Sequence, residues 1–266
     1  SKAVSPSFAF RLNNLANSLT KITLKKTLTS NYVYKAIDRI DYLACVIPDE
    51  YDLIKEKTNL HAEQAFYSYT NLKLLCGVYY GKEVTLGNKI LCGNAATFSN
   101  NHADIIDLIA TRGIENELIV PLSYGDTDDY ASQVIAIGEK SLGGQFQPLT
   151  EFMSRDDYSK VLCSCGFMVM NNKRQEAVGN IILGLYLGMK VFLNEKSVVL
   201  KFLRGHGFII YSFQKDFNKE ELIALTAEEI NLNRKKLAAY WGVEATEKRL
   251  QTTIRMLNER AERTEK

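Results

Sequence analysis

The chain of 266 residues is short of several things, and each shortage removes a class of function. Its five cysteines, Cys45, Cys76, Cys92, Cys163 and Cys165, are odd in number and include no paired C-x-x-C. Neither a disulfide framework, nor a zinc ribbon, nor a dithiol redox centre is therefore expected, and a reducing cytosol is the simplest setting. Three of the five sit inside apolar runs and read as small buried hydrophobes, and Cys163-Ser164-Cys165 reads as packing. The three histidines, His61, His102 and His206, give no basis for assembling a Ser-His-Asp triad. There is no G-x-G-x-x-G and no G-x-x-x-x-G-K-[ST], hence no dinucleotide fingerprint and no P-loop. No apolar run approaches the roughly 18 residues of a membrane span. The opening SKAVSPSFAFRLNN lacks a signal-peptide layout, and the reading is a chain that is soluble or at most peripheral on a membrane. With 33 Lys and Arg against 31 Asp and Glu, the net charge of +2 is too small to point to a nucleic-acid partner.

What is present is ordinary for a globular protein: 46% hydrophobic and 24% charged residues, enough to bury a sizeable core. From residue 89 onward, short apolar runs alternate with amphipathic stretches, which predicts an α/β fold with a parallel sheet covered by helices. Strands are expected at 89–94, 117–122, 145–149, 167–170, 190–193 and 208–213. Helices are expected at 102–112, 130–142, from Ser154 to Cys165, at 176–187 and at 198–203. A doubly wound sheet of this kind binds ligands outside the carboxyl ends of its strands. Function is therefore sought at residues 93–101, 123–128 and 171–180.

Two charge-rich helices follow at 219–237 and 243–263, broken near 240–243. Before the sheet, Phe8, Leu12, Leu15, Leu19 and Ile22 line one helical face while Arg11, Lys21, Lys25 and Lys26 lie elsewhere. A strand at 42–47 and a helix at 49–57 come next. The expected organisation is part of a second α/β domain over 1–75, a complete nucleotide-binding domain over 76–237, and a helical segment over 238–266 that packs back on the N-terminal part.

Each candidate loop has two readings. Gly93-Asn94, directly after a strand, suits either a nest of backbone amides for an anion or a simple tight turn. Ser99, Asn100 and Asn101 supply N-cap residues for the helix that begins at His102. The segment Asn171-Asn172-Lys173-Arg174-Gln175-Glu176-Ala177-Val178-Gly179-Asn180 places two cations and free helix amides at the ligand edge of the sheet. That combination suits a diphosphate, with Glu176 accepting from sugar hydroxyls, and it equally suits a solvated loop before a closely packed helix. Asp126-Thr127-Asp128 has the form of a D-x-D metal site, but its place before a helix favours capping by Asp128 or Asp129. The basic residues Lys21, Lys25 and Lys26 beside Leu19, Ile22 and Leu24 suit either anionic lipid headgroups or solvent.

Three runs carry a family likeness: ILCGNAATFSNNHADIIDLI, then LIVPLSYGD, then GFMVMNNKRQEAVGNIILGLYLGMKVFLNE. In this order and spacing they resemble the C-terminal half of the TDP-N-acetylfucosamine:lipid II N-acetylfucosaminyltransferases, glycosyltransferase family 56, over roughly residues 37–215. The marks are Gly-Asn with a later Ser-Asn-x-His, Pro-x-x-Tyr, Arg-Gln with a later Gly, and Leu-Asn after the next strand. The resemblance implies a two-domain GT-B glycosyltransferase, of which this chain holds one complete Rossmann-like domain and part of a second. It implies a TDP-sugar donor, a lipid-linked saccharide acceptor, no metal cofactor, and a peripheral place on the cytoplasmic face of the inner membrane.

Carried onto this chain, the resemblance sets Gly93, Asn94, Ser99 and Asn100 by the donor's phosphates or sugar, and Tyr124 and Gly125 by the nucleotide. Lys173, Arg174, Gln175, Glu176, Gly179 and Asn180 stand by the diphosphate and sugar. A general base is expected in acceptor-domain sequence outside these residues. Ala95, Ala96, Thr97 and Phe98 depart from a more polar family pattern, and Asn171-Asn172 is extra before Lys173, so a related deoxyaminosugar donor is equally consistent. The rival expectation is a non-catalytic nucleotide-sugar-binding module of a glycan assembly complex.

Overall fold

A computed structural model describes residues 35–126 and 129–264. The basic face expected around Lys21, Lys25 and Lys26, and Thr127-Asp128 of the D-x-D run, lie outside the described residues. The chain divides into two compact units, one of residues 70–243 and one that combines residues up to Tyr69 with those from Glu244.

In the described part of the smaller unit, β1 (Tyr42–Ala44) and β2 (Glu63–Ala65) pair in parallel across α1 (Asp49–Lys57). Helix α1 carries Asp49, Glu50 and Asp52 in its first turn and Lys55 and Lys57 in its last, matching the charge to the helix dipole. Tyr51, Leu60 and Ala62 are its buried centre, with Ile37, Ile40, Leu43, Cys45 and Ile54 packed around them.

The larger unit opens with α2 (Leu72–Cys76) and then follows the predicted alternation. Its elements in order are β3 (Lys89–Cys92), α3 (His102–Thr111), β4 (Leu118–Pro121), α4 (Tyr130–Leu142), β5 (Phe146–Leu149), α5 (Arg155–Cys163) and β6 (Cys165–Met170). Then come α6 (Val178–Leu187), β7 (Lys190–Leu193), α7 (Val198–Gly205), β8 (Tyr211–Ser212), α8 (Phe213–Asp216) and α9 (Ala227–Trp241). The six strands form one sheet in the order β5-β4-β3-β6-β7-β8, and every pairing is parallel. β4, β6 and β7 are buried along their whole length, as expected where helices cover both faces of a sheet. Pro148, which cannot donate to a ladder, sits in β5 at the sheet edge. From β3 the chain builds outward to β5, then returns to place β6 on the other side of β3. The point where strand order reverses is therefore the β3/β6 boundary, the place where sheets of this kind form a ligand crevice at the carboxyl ends.

Several expected boundaries move, each for a local reason. The unit begins at Thr70 rather than 76, since Leu72 and Cys76 of α2 are buried and α2 packs on α6 and α9. It extends past 237 because Trp241 is buried with its ring against Phe202 and Phe208. The helix expected from 219 starts at Ala227, where Thr226 and Glu229 close a capping box. The last strand shortens to Tyr211–Ser212 because the Ser212 hydroxyl accepts from the Lys215 amide while Asp216 accepts from the Ser212 amide, which turns the chain into α8. The helix expected to reach Cys165 ends at Cys163, so that Cys165 and Gly166 join β6.

The final helix, α10 (Val243–Thr264), returns the chain to the smaller unit. There the Thr253 hydroxyl bonds both the amide and the carbonyl of Phe66, and the Tyr42 hydroxyl donates to Met256 O at 3.1 Å. The Arg249 guanidinium covers the Phe66 ring at 4.1 Å.

Candidate functional site

Three loops meet at the crevice. The first leaves β3 through Gly93, whose φ of +71° is a left-handed conformation that glycine adopts without strain. A Cβ there would stand 2.5 Å from His102 Nε2 and 2.8 Å from Asn100 Oδ1, so the packing beneath the turn also requires glycine. Asn100 is wholly buried: its Oδ1 accepts from the Asn94 amide at 3.0 Å and its Nδ2 donates to Thr97 Oγ1 at 2.8 Å. Asn100 therefore shapes the loop from within. Nor do Ser99 and Asn100 cap α3, since they lie in a short 3-10 turn and the cap position is Asn101, in a left-handed conformation without a side-chain cap. The Asn101 amide spans the sheet's switch point instead, donating to Asn171 O at 2.9 Å.

Below this loop His102 is wholly buried, with Nδ1 3.1 Å from the Tyr130 hydroxyl and Nε2 unpartnered among the described residues. Burial pushes its pKa down to about 3, so the imidazole is neutral at ordinary pH.

The third loop follows β6 and centres on Glu176. Its carboxylate, 15% exposed, accepts from Ser99 Oγ at 2.8 Å and from the Asn172 amide, and pairs with the Arg174 guanidinium. One half-buried carboxylate thus ties the first and third loops together. Helix α6 was expected to include Glu176 but begins at Val178, because Ala177 holds a left-handed conformation at the cap and no side chain caps the turn. Among the described residues the first-turn amides of Val178, Gly179 and Asn180 therefore have no side-chain cap, with the helix dipole positive there. Lys173 and the 72%-exposed Arg174 stand on the same loop. A Cβ at Gly179 would meet only Leu75 Cδ1 at an ordinary 3.6 Å, so glycine is not required there by sterics.

The second loop, after β4, brings Tyr124 to the first: its hydroxyl accepts from Asn94 Nδ2 at 3.1 Å. Gly125, at φ +80°, packs on Thr97, where a Cβ would approach Cγ2 to 3.0 Å. Asp126 accepts from the Ala131 amide at 3.0 Å, which makes it the residue that serves the start of α4, while Asp129 at the cap position makes no side-chain cap. Among the described residues no group of three or more His, Cys, Asp or Glu is placed to hold a metal ion.

A cavity of about 250 Å³ adjoins these loops, lined by Asn94, Tyr124 and Asn180 together with Leu149, Phe152 and Tyr158. The sequence reading passed over the β5–α5 loop that supplies Glu151, Phe152 and Met153 to it. The one signal in the sequence is position, since Phe152 and Met153 follow the carboxyl end of a strand, the ligand edge of such a sheet; that Phe152 is 87% exposed is shown only by the structure. Of the residues singled out in advance, Asn94, Tyr124 and Asn180 line this cavity, while Gly93, Ser99 and Glu176 lie at the junction of the first and third loops.

Residues 42–252 match the family described as 4-alpha-L-fucosyltransferase, glycosyl transferase group 56. Among solved structures, a sucrose-phosphate synthase from Thermosynechococcus elongatus superposes with a TM-score of 0.62 at 12% identity, over 84% of this chain and 60% of that one. A chain of the GtfA/B complex does so with a TM-score of 0.58 at 6% identity, over 86% of this chain and 48% of that one. At such identities the likeness speaks for the fold, which is that of the GT-B glycosyltransferases, with a six-stranded parallel sheet in its larger unit. The chain spans 48–60% of the length of these two structures. No described helix is long and apolar enough to cross a membrane.

Proposed function

Because the chain belongs to glycosyl transferase group 56, we propose that it acts in glycosyl transfer and that its larger unit holds the nucleotide-sugar donor. In this reading the enzyme moves a 4-acetamido-4,6-dideoxyhexose, N-acetylfucosamine-like, from a TDP-sugar to a lipid-linked saccharide of a bacterial surface polysaccharide. It works from a peripheral position on the cytoplasmic face of the inner membrane. The observation that carries the donor site is the meeting of Lys173, Arg174 and the uncapped amino end of α6 with the Gly93 turn at the sheet's switch point. Cations and oriented amides at that place stabilise an anion and, in the reaction, the diphosphate as it departs. The diphosphate charge is met by these groups without calling on a metal ion. The apolar cavity between Tyr124 and Phe152 suits a nucleobase, with Leu149 and Met153 offering an apolar wall to the thymine methyl. A base outside this unit activates the acceptor hydroxyl.

Thermal unfolding with TDP and UDP, followed by turnover with a TDP-sugar, tests the reading. A larger stabilisation by TDP together with sugar transfer supports it, stabilisation without transfer favours a binding module, and no response to any nucleotide removes the donor site. Replacing the guanidinium through Arg174→Ala should weaken TDP binding about 10-fold, in line with loss of one charge-assisted contact. Unchanged affinity in a titration would refute the placement of Arg174.

A further inference from the structure

A chain of side-chain amides crosses the carboxyl ends of β3, β6, β7 and β8, and Asn171 stands at its centre. Its main-chain oxygen accepts from Asn101 Nδ2 at 2.9 Å, and its Oδ1 accepts from Asn194 Nδ2 at 2.6 Å and from Gln214 Nε2 at 3.1 Å. The orientation of these amides is fixed by main-chain groups that can only donate. Asn194 Oδ1 accepts from the Lys196 amide at 2.9 Å, and Gln214 Oε1 accepts from the Glu195 amide at 2.7 Å. Each therefore turns its NH2 toward Asn171, and Asn171 must turn its oxygen toward them. Its own NH2 is the end left over: it has no acceptor among the described residues and is not one of the buried atoms without a partner, so it keeps some exposure in a residue that is 2% exposed overall. A buried amide held by two donors and keeping a free NH2 is a pre-set hydrogen-bond donor.

We propose that Asn171 is a further donor-contacting residue, whose NH2 binds an oxygen of the nucleotide sugar's diphosphate, and that Asn194 and Gln214 are positioning residues that aim it. This rests on the donor site proposed above. Asn171 is the first residue after β6 at the switch point, next to the strand that leads into the Gly93 turn, whose amide donates to Val169 O at 3.0 Å. It precedes Lys173 and Arg174 in the same loop. A diphosphate seated on those cations and on the α6 amides has acceptor oxygens in need of further donors, and Asn171 is not among the residues that line the Tyr124–Phe152 cavity, where a nucleobase would sit.

The test compares TDP with thymidine, by calorimetric titration and ligand-observed NMR, on the full chain and on two variants. Asn171→Asp keeps an oxygen for Asn194 and Gln214 but replaces the NH2 by a second, charged oxygen. TDP should bind about 100-fold more weakly and thymidine within about twofold, since a contact to a charged oxygen is lost and a repulsion gained. Asn194→Asp leaves Asn171 itself unaltered, but its carboxylate draws the Asn171 NH2 and reverses that amide, so the same selective loss is expected. A structural defect would lower thymidine and TDP alike, and that result overturns the proposal. So does TDP affinity within about twofold of the parent in both variants. Failure of the unaltered chain to bind either ligand removes the donor site itself, and this inference with it.

Discussion

At the scale of single residues, the site depends on positions where one side chain too many, or one proton too many, has no room. Gly93→Ala combines a left-handed backbone with a Cβ pressed 2.5 Å from His102 Nε2. It should destabilise the larger unit by about 2 kcal/mol or more and abolish nucleotide binding, measured by urea unfolding and titration. His102 adds a pH dependence whose sign follows from its burial. Its folded pKa of about 3 lies below the ordinary 6.5, so at falling pH the unfolded chain takes up a proton that the folded chain refuses. The contribution is fully present above about pH 6.5 and is lost toward pH 3, at up to about 1.4 kcal/mol per pH unit. Unfolding free energies at pH 7, 6 and 5 should fall more steeply for the parent than for His102→Gln, which keeps a polar end beside the Tyr130 hydroxyl. Equal slopes would mean that His102 titrates normally. Asn171 belongs at this scale too: its chemistry comes from which way round an amide is held.

At the scale of elements, packing against the sheet decides where helices sit and where they start. Helix α4 lies on β5 through Gly138, where a Cβ would fall 2.3–2.5 Å from the Phe146 ring. In an isolated helix, alanine is favoured over glycine by about 1 kcal/mol, but here overpacking wins. Gly138→Ala should lower stability by about 1–3 kcal/mol while leaving nucleotide affinity intact, because α4 touches the site only at its first turn. A neutral or stabilising result would show that the ring can move aside. Helix α6 illustrates the opposite case. Val178, Ile181, Ile182, Leu185 and Leu187 bury most of its circumference, so burial sets its body, while its start is set by the left-handed Ala177 and not by the acidic residue before it. Glu176 is released from the helix by that one residue and becomes the carboxylate that joins two loops.

At the scale of the molecule, the chain is two units, one closed by a helix that arrives from the far end of the sequence. A chain shortened to residues 70–243 should unfold cooperatively and bind TDP as the 266-residue chain does, because the donor residues and the core beneath them all lie inside that span. Loss of cooperative unfolding in the shortened chain would show that the larger unit depends on the smaller. The alternation of apolar runs by itself determined six strands, the helices between them and the ligand edge, since burial on both faces of a parallel sheet leaves a period and a composition that are local properties. It also marked Gly93, Lys173, Arg174 and Glu176, because phosphate chemistry needs glycine, cations and helix amides close together in sequence. Only the tertiary structure decided that Asn100 is internal, that Phe152 walls a cavity, and that Asn171, Asn194 and Gln214 act as a unit. Those facts depend on strand order, which brings Gln214 to Asn171 across 43 positions and Asn101 to Asn171 across 70, and on the direction of hydrogen bonds, which no local pattern encodes.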